Sequence, residues 1–278
     1  MKKYLLVFVL SLLLVFNLSA CITTPTQPPD TLSVYFFDVG QADCILIDLG
    51  DTEVLIDGGV TDTGATECIY DYINGPIEAV IVTHFDKDHI GGLSQVFDDY
   101  VIEGFWYRGE TSGTKTANDL MTKVHDENAE IHTVVRGDII QVGVLEFSVL
   151  NPPVPFFHDD ENNNSLVLQL NYGETSFLFM GDAEQKAENT MLSLLTDIDI
   201  LKVGHHGSDT SSCDNFLKIV NPEIAIIMVG DKKIHGHPSP DTLDRLVAIG
   251  ATIYKTIDCG TIIITTDGVS TPKVKTAK

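Results

Sequence analysis

The chain has 278 residues, with 17 Lys and Arg set against 40 Asp and Glu and a formal charge of −23. That balance leaves no long cationic stripe of the kind that tracks nucleic-acid phosphates, although bound divalent ions would reverse the field locally. The five cysteines include no C-x-x-C pair, which argues against a structural zinc knot.

At the N-terminus, Met1-Lys2-Lys3, an apolar run from Tyr4 to Leu14 and then Leu18-Ser19-Ala20-Cys21 follow the order of a secretory signal. The ending is similar to a bacterial lipobox, which makes residues 1–21 a lipoprotein signal peptide and Cys21 the lipidated first residue. An uncleaved N-terminal anchor is the competing reading. Both predict an exported, membrane-anchored protein whose body lies outside the cytoplasm. Residues 22–31, rich in Thr and Pro, read as an extended tether. Residues 32–272 suit one α/β domain, and the polar tail Thr271–Lys278 is expected to fray. The other cysteines, Cys44, Cys68, Cys213 and Cys259, read equally well as disulfides or as buried thiols.

Short apolar runs bounded by turn residues predict strands at 32–37, 43–48, 54–57 and 79–83. Helices are expected at 66–72, 93–97 and 119–128. Further strands are expected at 142–150, 165–172 and 176–180, then a helix over 183–195 and a strand at 200–203. A helix at 213–220, a strand at 223–228, a helix at 241–249 and strands at 252–255 and 260–265 complete the series. Strands come in runs with helices between them, on both sides of about residue 140. Two mixed sheets packed face to face with helices outside satisfy this pattern.

Three of the predicted strands end in residues that bind metals. Ala79–Thr83 runs into His84, Asp86, Asp88 and His89; Ser176–Met180 ends in Gly181-Asp182; Ile200–Val203 ends in Gly204-His205-His206-Gly207. In an extended loop, positions 84, 86 and 88 project to one side, while Asp88 and His89 must diverge, so one segment can serve two ions. Imidazole with carboxylate suits zinc or manganese over calcium or magnesium. A solvated polar loop explains the first cluster alone but not its recurrence at three strand ends, where α/β folds place their sites.

The stretch 83–92, Thr-His-Phe-Asp-Lys-Asp-His-Ile-Gly-Gly, resembles the H-x-[HDE]-x-D-H motif of the metallo-β-lactamase superfamily, and within it the ComEC-like branch of competence-protein hydrolase domains. Segments 37–43, 55–59, 164–168, 181–184, 201–208 and 236–238 carry the same resemblance in order. It implies a four-layer αββα sandwich and two divalent ions. By position, His84 and Asp86 hold the first ion, Asp88, His89 and His205 hold the second, and Asp182 bridges them. Asp57 would orient a ligand imidazole, and His237 would face substrate. Asn164 and Ser165 stand beside the site, with His206 behind His205. The chain departs from the family pattern at Asp86 and at Asn162-Asn163-Asn164-Ser165, where histidines are common, and at Ala42, where a glycine is usual. His158 is a candidate for the missing ligand, against a solvent-facing role. Lys202 either meets a substrate anion, pairs with a carboxylate or snorkels. Trp106 and Tyr107 are expected at a loop edge.

The resemblance favours hydrolysis of a phosphodiester, in nucleic acid such as DNA or an envelope phosphate ester, by a hydroxide held between two ions. Asp86 or Asp88 would guide its proton, and His237 or Lys202 would stabilise developing charge. Lactone or β-lactam hydrolysis on the same fold is the nearest rival, and a non-catalytic metal- or ligand-binding lipoprotein the next. No G-x-S-x-G, Walker or dinucleotide-binding motif is present.

Overall fold

Leu32–Phe36 (β1) shows in miniature how the chain is layered. Leu32, Val34 and Phe36 point into one apolar core, while Tyr35 packs against a second on the opposite face. The period-two alternation of strand side chains lets one sheet divide two cores. The computed structural model describes residues 31–60, 65–73, 75–231 and 235–278. Cys21, the signal segment and nearly all of the predicted tether lie outside the described residues.

One sheet contains β1, β2 (Ile45–Asp48), β3 (Glu53–Ile56), β4 (Ile77–Ile81), β5 (Ile102–Tyr107), β6 (Glu130–Thr133), β14 (Ile262–Thr266) and β15 (Lys273–Thr276), in the order 15-14-1-2-3-4-5-6. The other contains β7 (Ile139–Val142), β8 (Leu145–Asn151), β9 (Val167–Tyr172), β10 (Thr175–Phe179), β11 (Ile200–Lys202), β12 (Ile224–Ile227) and β13 (Thr252–Lys255), in the order 13-12-11-10-9-8-7. Strands β3 to β6 run parallel, as do β10 to β13, and the remaining pairings are antiparallel.

Between the sheets, Phe36 stacks on Phe179 with ring centroids 6.4 Å apart. Phe147 and Phe177 are fully buried in the same layer. Each such side chain contributes about 1.5–3 kcal/mol through the area it removes from water. Helices α1 (Ala65–Ile69), α3 (Leu93–Asp99) and α4 (Lys115–Asp126) cover the outer face of the first sheet. Helices α5 (Gln185–Met191), α6 (Asp214–Val220) and α7 (Pro240–Ala248) cover the second. Two single turns, α2 (Lys87–Ile90) and α8 (Thr256–Cys259), complete the set. The result is the expected four-layer αββα sandwich.

Four local expectations are corrected. The tail does not fray, because Lys273–Thr276 pairs antiparallel with β14 as an edge strand whose lysines face solvent. Trp106 and Tyr107 lie within β5, between β4 and β6, rather than at a loop edge. The helix expected over 183–195 is only Gln185–Met191, since Glu184 has an extended backbone with φ −107° and ψ −178°. The segment after His84 is not extended throughout, because Lys87–Ile90 closes a helical turn after Asp86. Cys44, Cys68, Cys213 and Cys259 are free thiols. No described helix is long and apolar enough to cross a membrane.

Candidate metal centre

Strands β3, β4, β10 and β11 release their functional residues at the same end of the sandwich. Asp57 follows β3 with a left-handed φ of 58°, which turns its carboxylate under the loop after β4. There Oδ1 accepts from the Thr83 backbone N–H at 2.9 Å, and Oδ2 accepts from the Thr83 hydroxyl at 2.6 Å. His89 Nδ1 lies 2.7 Å from Oδ2. With Nδ1 so engaged, His89 Nε2 points the other way, to 3.3 Å from Asp182 Oδ1. The contact has the geometry that an orienting role for Asp57 would require.

Asp182, on the turn after β10, is where the imidazoles converge. Its Oδ2 lies 4.0 Å from His84 Nε2, 3.8 Å from His205 Nε2 and 3.7 Å from His206 Nε2. His84 Nε2 is also 3.7 Å from Asp86 Oδ2, and His206 Nε2 is 3.4 Å from Asp88 Oδ2. Four of these atoms, on His84, His89, His206 and Asp182, are buried without a hydrogen-bond partner. Buried polar atoms without partners are costly, and nitrogen and oxygen donors pointed at one another in this way suit a divalent cation. The residues present therefore fit the metals that the sequence implies.

The adjacent histidines divide differently from the expectation. His206, not His205, joins Asp88, His89 and Asp182 in one group of four converging ligand atoms. Its Nδ1 lies 2.9 Å from the Met228 carbonyl, which fixes Nε2 toward the group. His205 has its Nδ1 3.0 Å from Glu184 Oε1 and is 24% exposed, facing the cleft. The split comes from the backbone, as both residues are left-handed, with φ 47° and 52°. The rings stand at 63° to each other.

Other predicted residues take different places. Lys202 is buried inside the sandwich, ion-paired with Asp43 and donating to the Gly181 carbonyl at 3.3 Å, so it does not reach a substrate. It shares a strand face with Ile200, and Asp43 waits opposite. The Asn164 amide is engaged with both backbone groups of Phe157, and the Ser165 hydroxyl accepts from the Asp182 N–H at 3.2 Å. Both support the site from behind. His158 is 89% exposed beside Asp159 and supplies no ligand. His237 lines the cleft, its ring 5.4 Å from that of His205. Sequence reasoning gave no role to Asp43, Glu161 or Glu184. Asp43 Oδ1 comes within 3.4 Å of His206 Nδ1. Glu161 accepts from the Phe85 N–H at 2.9 Å and pairs with buried Arg108 at 2.6 Å.

The charges are strongly coupled to burial. Burial, followed by the neighbouring His89, pushes His84 well below the ordinary histidine range, which leaves its lone pair free. Burial also opposes the charge on His89, but Asp182 and Asp57 outweigh it and hold its proton tightly. For Asp182 the burial penalty is overcome by His89 and His206, which keep its carboxyl well below the usual range. An ion taken up here must therefore displace protons, so uptake strengthens as pH rises. These residues floor an open cleft of about 750 Å³ whose walls include Val39, Gln41, Val60, Lys87, Asn162 and His237.

A family model described as Metallo-beta-lactamase superfamily matches residues 37–231. The chain is 33% identical over 189 residues to ComE operon protein 3 of Bacillus subtilis (strain 168), covering 67% of this chain and 24% of that protein. It is 30% identical over 250 residues to Recombination protein 2 of Haemophilus influenzae, covering 87% of this chain and 29% of that one. The chain thus spans between 24% and 29% of the length of these curated relatives. Among solved structures, the metallo-beta-lactamase fold protein YhfI from Bacillus subtilis matches with a TM-score of 0.60 at 10% identity, covering 85% of this chain and 100% of that chain. At that identity the likeness concerns the fold alone.

Proposed function

Because the chain belongs to the metallo-beta-lactamase superfamily, with ComEC-like competence proteins among its curated relatives, we propose that it is an exported, membrane-tethered phosphodiesterase working with two metal ions. The coarser statement, a metal-dependent hydrolase of this superfamily, is its premise. The observation that carries the proposal is the set of buried, unpartnered nitrogen and oxygen atoms around Asp182 at the floor of an open cleft.

Asp88, His89, Asp182 and His206 would hold one ion, and His84, Asp86 and Asp182 the other. Such a pair supplies an acidified water and neutralises charge on the oxygens of an ester undergoing displacement. Zinc or manganese matches the mixed imidazole and carboxylate donors. Asp86, half exposed at the cleft, has a carboxyl raised by burial and by neighbouring Asp88. It is the ligand carboxylate best placed to take a proton from solvent. His237 and Lys87 both line the cleft and would contact the substrate beyond the scissile bond.

The phosphodiester reading rests on the relatives, which are named for a competence operon and for recombination; among phosphodiesters these names favour DNA. The cleft is open, and Gln41, Lys87, Asn162 and His237 in its lining would offer polar contacts to a phosphate ester neutralised by metal. The tether and lipid anchor rest on the sequence of residues 1–31.

The test uses the mature domain with zinc or manganese, assayed on bis-(p-nitrophenyl) phosphate and single-stranded DNA beside a panel of lactones and β-lactams. Phosphodiester turnover that disappears in Asp182→Ala is the expected result. Turnover of the lactones or β-lactams alone would move the assignment to the rival chemistry. Inactivity on every substrate with metal bound would favour the binding lipoprotein. Release of a Cys21→Ser variant from the membrane fraction tests the anchor.

A further inference from the structure

The two metal positions are unequally furnished. Asp88, His89, Asp182 and His206 bring four ligand atoms together at one, while His84, Asp86 and the shared Asp182 give only three at the other. The asparagine run beside this three-ligand position does not make up the difference with Asn163 or Asn164. Asn163 spends its amide on Asp160, Glu184 and the start of α5, and Asn164 is occupied by Phe157.

His205 is the nearby imidazole that the four-atom group leaves unused. Its Nε2 lies 3.8 Å from Asp182 Oδ2, an oxygen that His84 Nε2 and His206 Nε2 also approach, to 4.0 and 3.7 Å. Its Nδ1 is 3.0 Å from Glu184 Oε1, and a carboxylate there accepts the Nδ1 proton and leaves the Nε2 lone pair facing the site. Glu184 is itself held. The Thr210 hydroxyl donates to Oε1 at 2.7 Å, and the Asn163 amide donates to Oε2 at 3.2 Å. Glu184 is the N-cap residue of α5, and its carboxylate makes no capping hydrogen bond to that helix, which leaves it available to His205. A carboxylate hydrogen-bonded to the far nitrogen is how a ligating imidazole is fixed in tautomer and direction. Two successive left-handed residues that are not glycine are strained. Here the strain has a geometric result, since it sets the rings of neighbouring residues at 63° to each other while both Nε2 atoms face Asp182 Oδ2.

We propose that His205, oriented by Glu184, is the ligand that completes the first metal position beside His84, Asp86 and Asp182. The His205-His206 pair is then shared between the two ions, one imidazole each. The inference rests on the two-metal reading given above and assigns to this chain's own residues the place that the asparagine run leaves open.

Metal content and zinc titration of the full chain test it without reference to activity. The wild type should take two ions. His205→Ala should retain one ion at wild-type affinity and bind the other at least about 100-fold more weakly. Glu184→Gln, which keeps the side-chain shape, should weaken that same ion by about 10–100-fold. His206→Ala should weaken the opposite ion, and cobalt substitution should show one nitrogen ligand fewer at one site in His205→Ala. Melting curves in chelator that match the wild type would show that the variants fold. Two ions bound at unchanged affinity in His205→Ala and Glu184→Gln would overturn the assignment while leaving the two-metal reading intact. A wild type that binds fewer than two ions would overturn both.

Discussion

Strand β3 carries a buried carboxylate at each end, and the two are treated in opposite ways. At one end Asp57 receives the Thr83 N–H, the Thr83 hydroxyl and His89 within 2.9 Å. At the other, the backbone N–H of Glu53 donates to Glu78 Oε2 at 2.7 Å, with Asp48 paired across the strand. Burial raises the pKa of both. At Asp57, His89 and Thr83 work against that rise, whereas at Glu53 the neighbouring Glu78 adds to it and pushes the carboxyl up to about 7. Burial alone therefore does not mark a working carboxylate; the sign of its neighbours does. Donors and an imidazole turn Asp57 into an anchor for a metal ligand, while acids turn Glu53 into a group that prefers its proton.

The comparison is broken most severely at the buried pair behind the metal end. Removing one partner of a buried ion pair strands the other charge, so Lys202→Met should lower unfolding free energy by about 3–5 kcal/mol, measured by denaturant titration. Lys202→Met with Asp43→Asn should recover much of that loss, and a double variant no better than the single would show that Lys202 acts through packing alone. Next in size is Asp57→Asn. If Asp57 works by orienting His89, metal affinity or turnover should fall by about 10–100-fold. An unchanged zinc titration would reduce Asp57 to a backbone brace for Thr83.

The metal loop was legible because it combines residue types that rarely adjoin a buried strand. His84, Asp86, Asp88 and His89 announce chemistry before any contact is known, and Asp182 and His205-His206 repeat the placement at two further strand ends. The partition of His205 and His206 was not legible, because it depends on two left-handed backbone angles that no side-chain type demands. Asp43 and Glu184 were hidden for a different reason: among 40 acidic residues nothing local separates a supporting carboxylate from a solvated one. Lys202 was noticed as a cation inside an apolar strand, and only the opposing sheet decides between substrate and Asp43. The strands missed wholly or nearly so were the edge strands β6, β7 and β15 and one interior strand, β5, where Glu103-Gly104 interrupts the apolar run. In β15, Lys273 and Lys275 face solvent, so the sequence there carries composition without a core face. Edge strands commonly hold such lysines, which discourage pairing with another chain.

The smallest expected effect is also the most direct probe of the contrast along β3. Glu53 in the folded protein has a pKa near 7, against 4.5 for an ordinary glutamate. Between those values the folded state binds more protons than the unfolded state, so stability falls as pH rises. The contribution is fully present below the unfolded value and is lost as pH passes through about 7. A Glu53→Gln variant removes this titration while keeping the shape of the protonated side chain. Its melting temperature should therefore match the wild type near pH 5 and exceed it near pH 8, in chelator so that metal loading does not vary with pH. Parallel melting curves across that range would mean that Glu53 does not hold its proton in the folded protein.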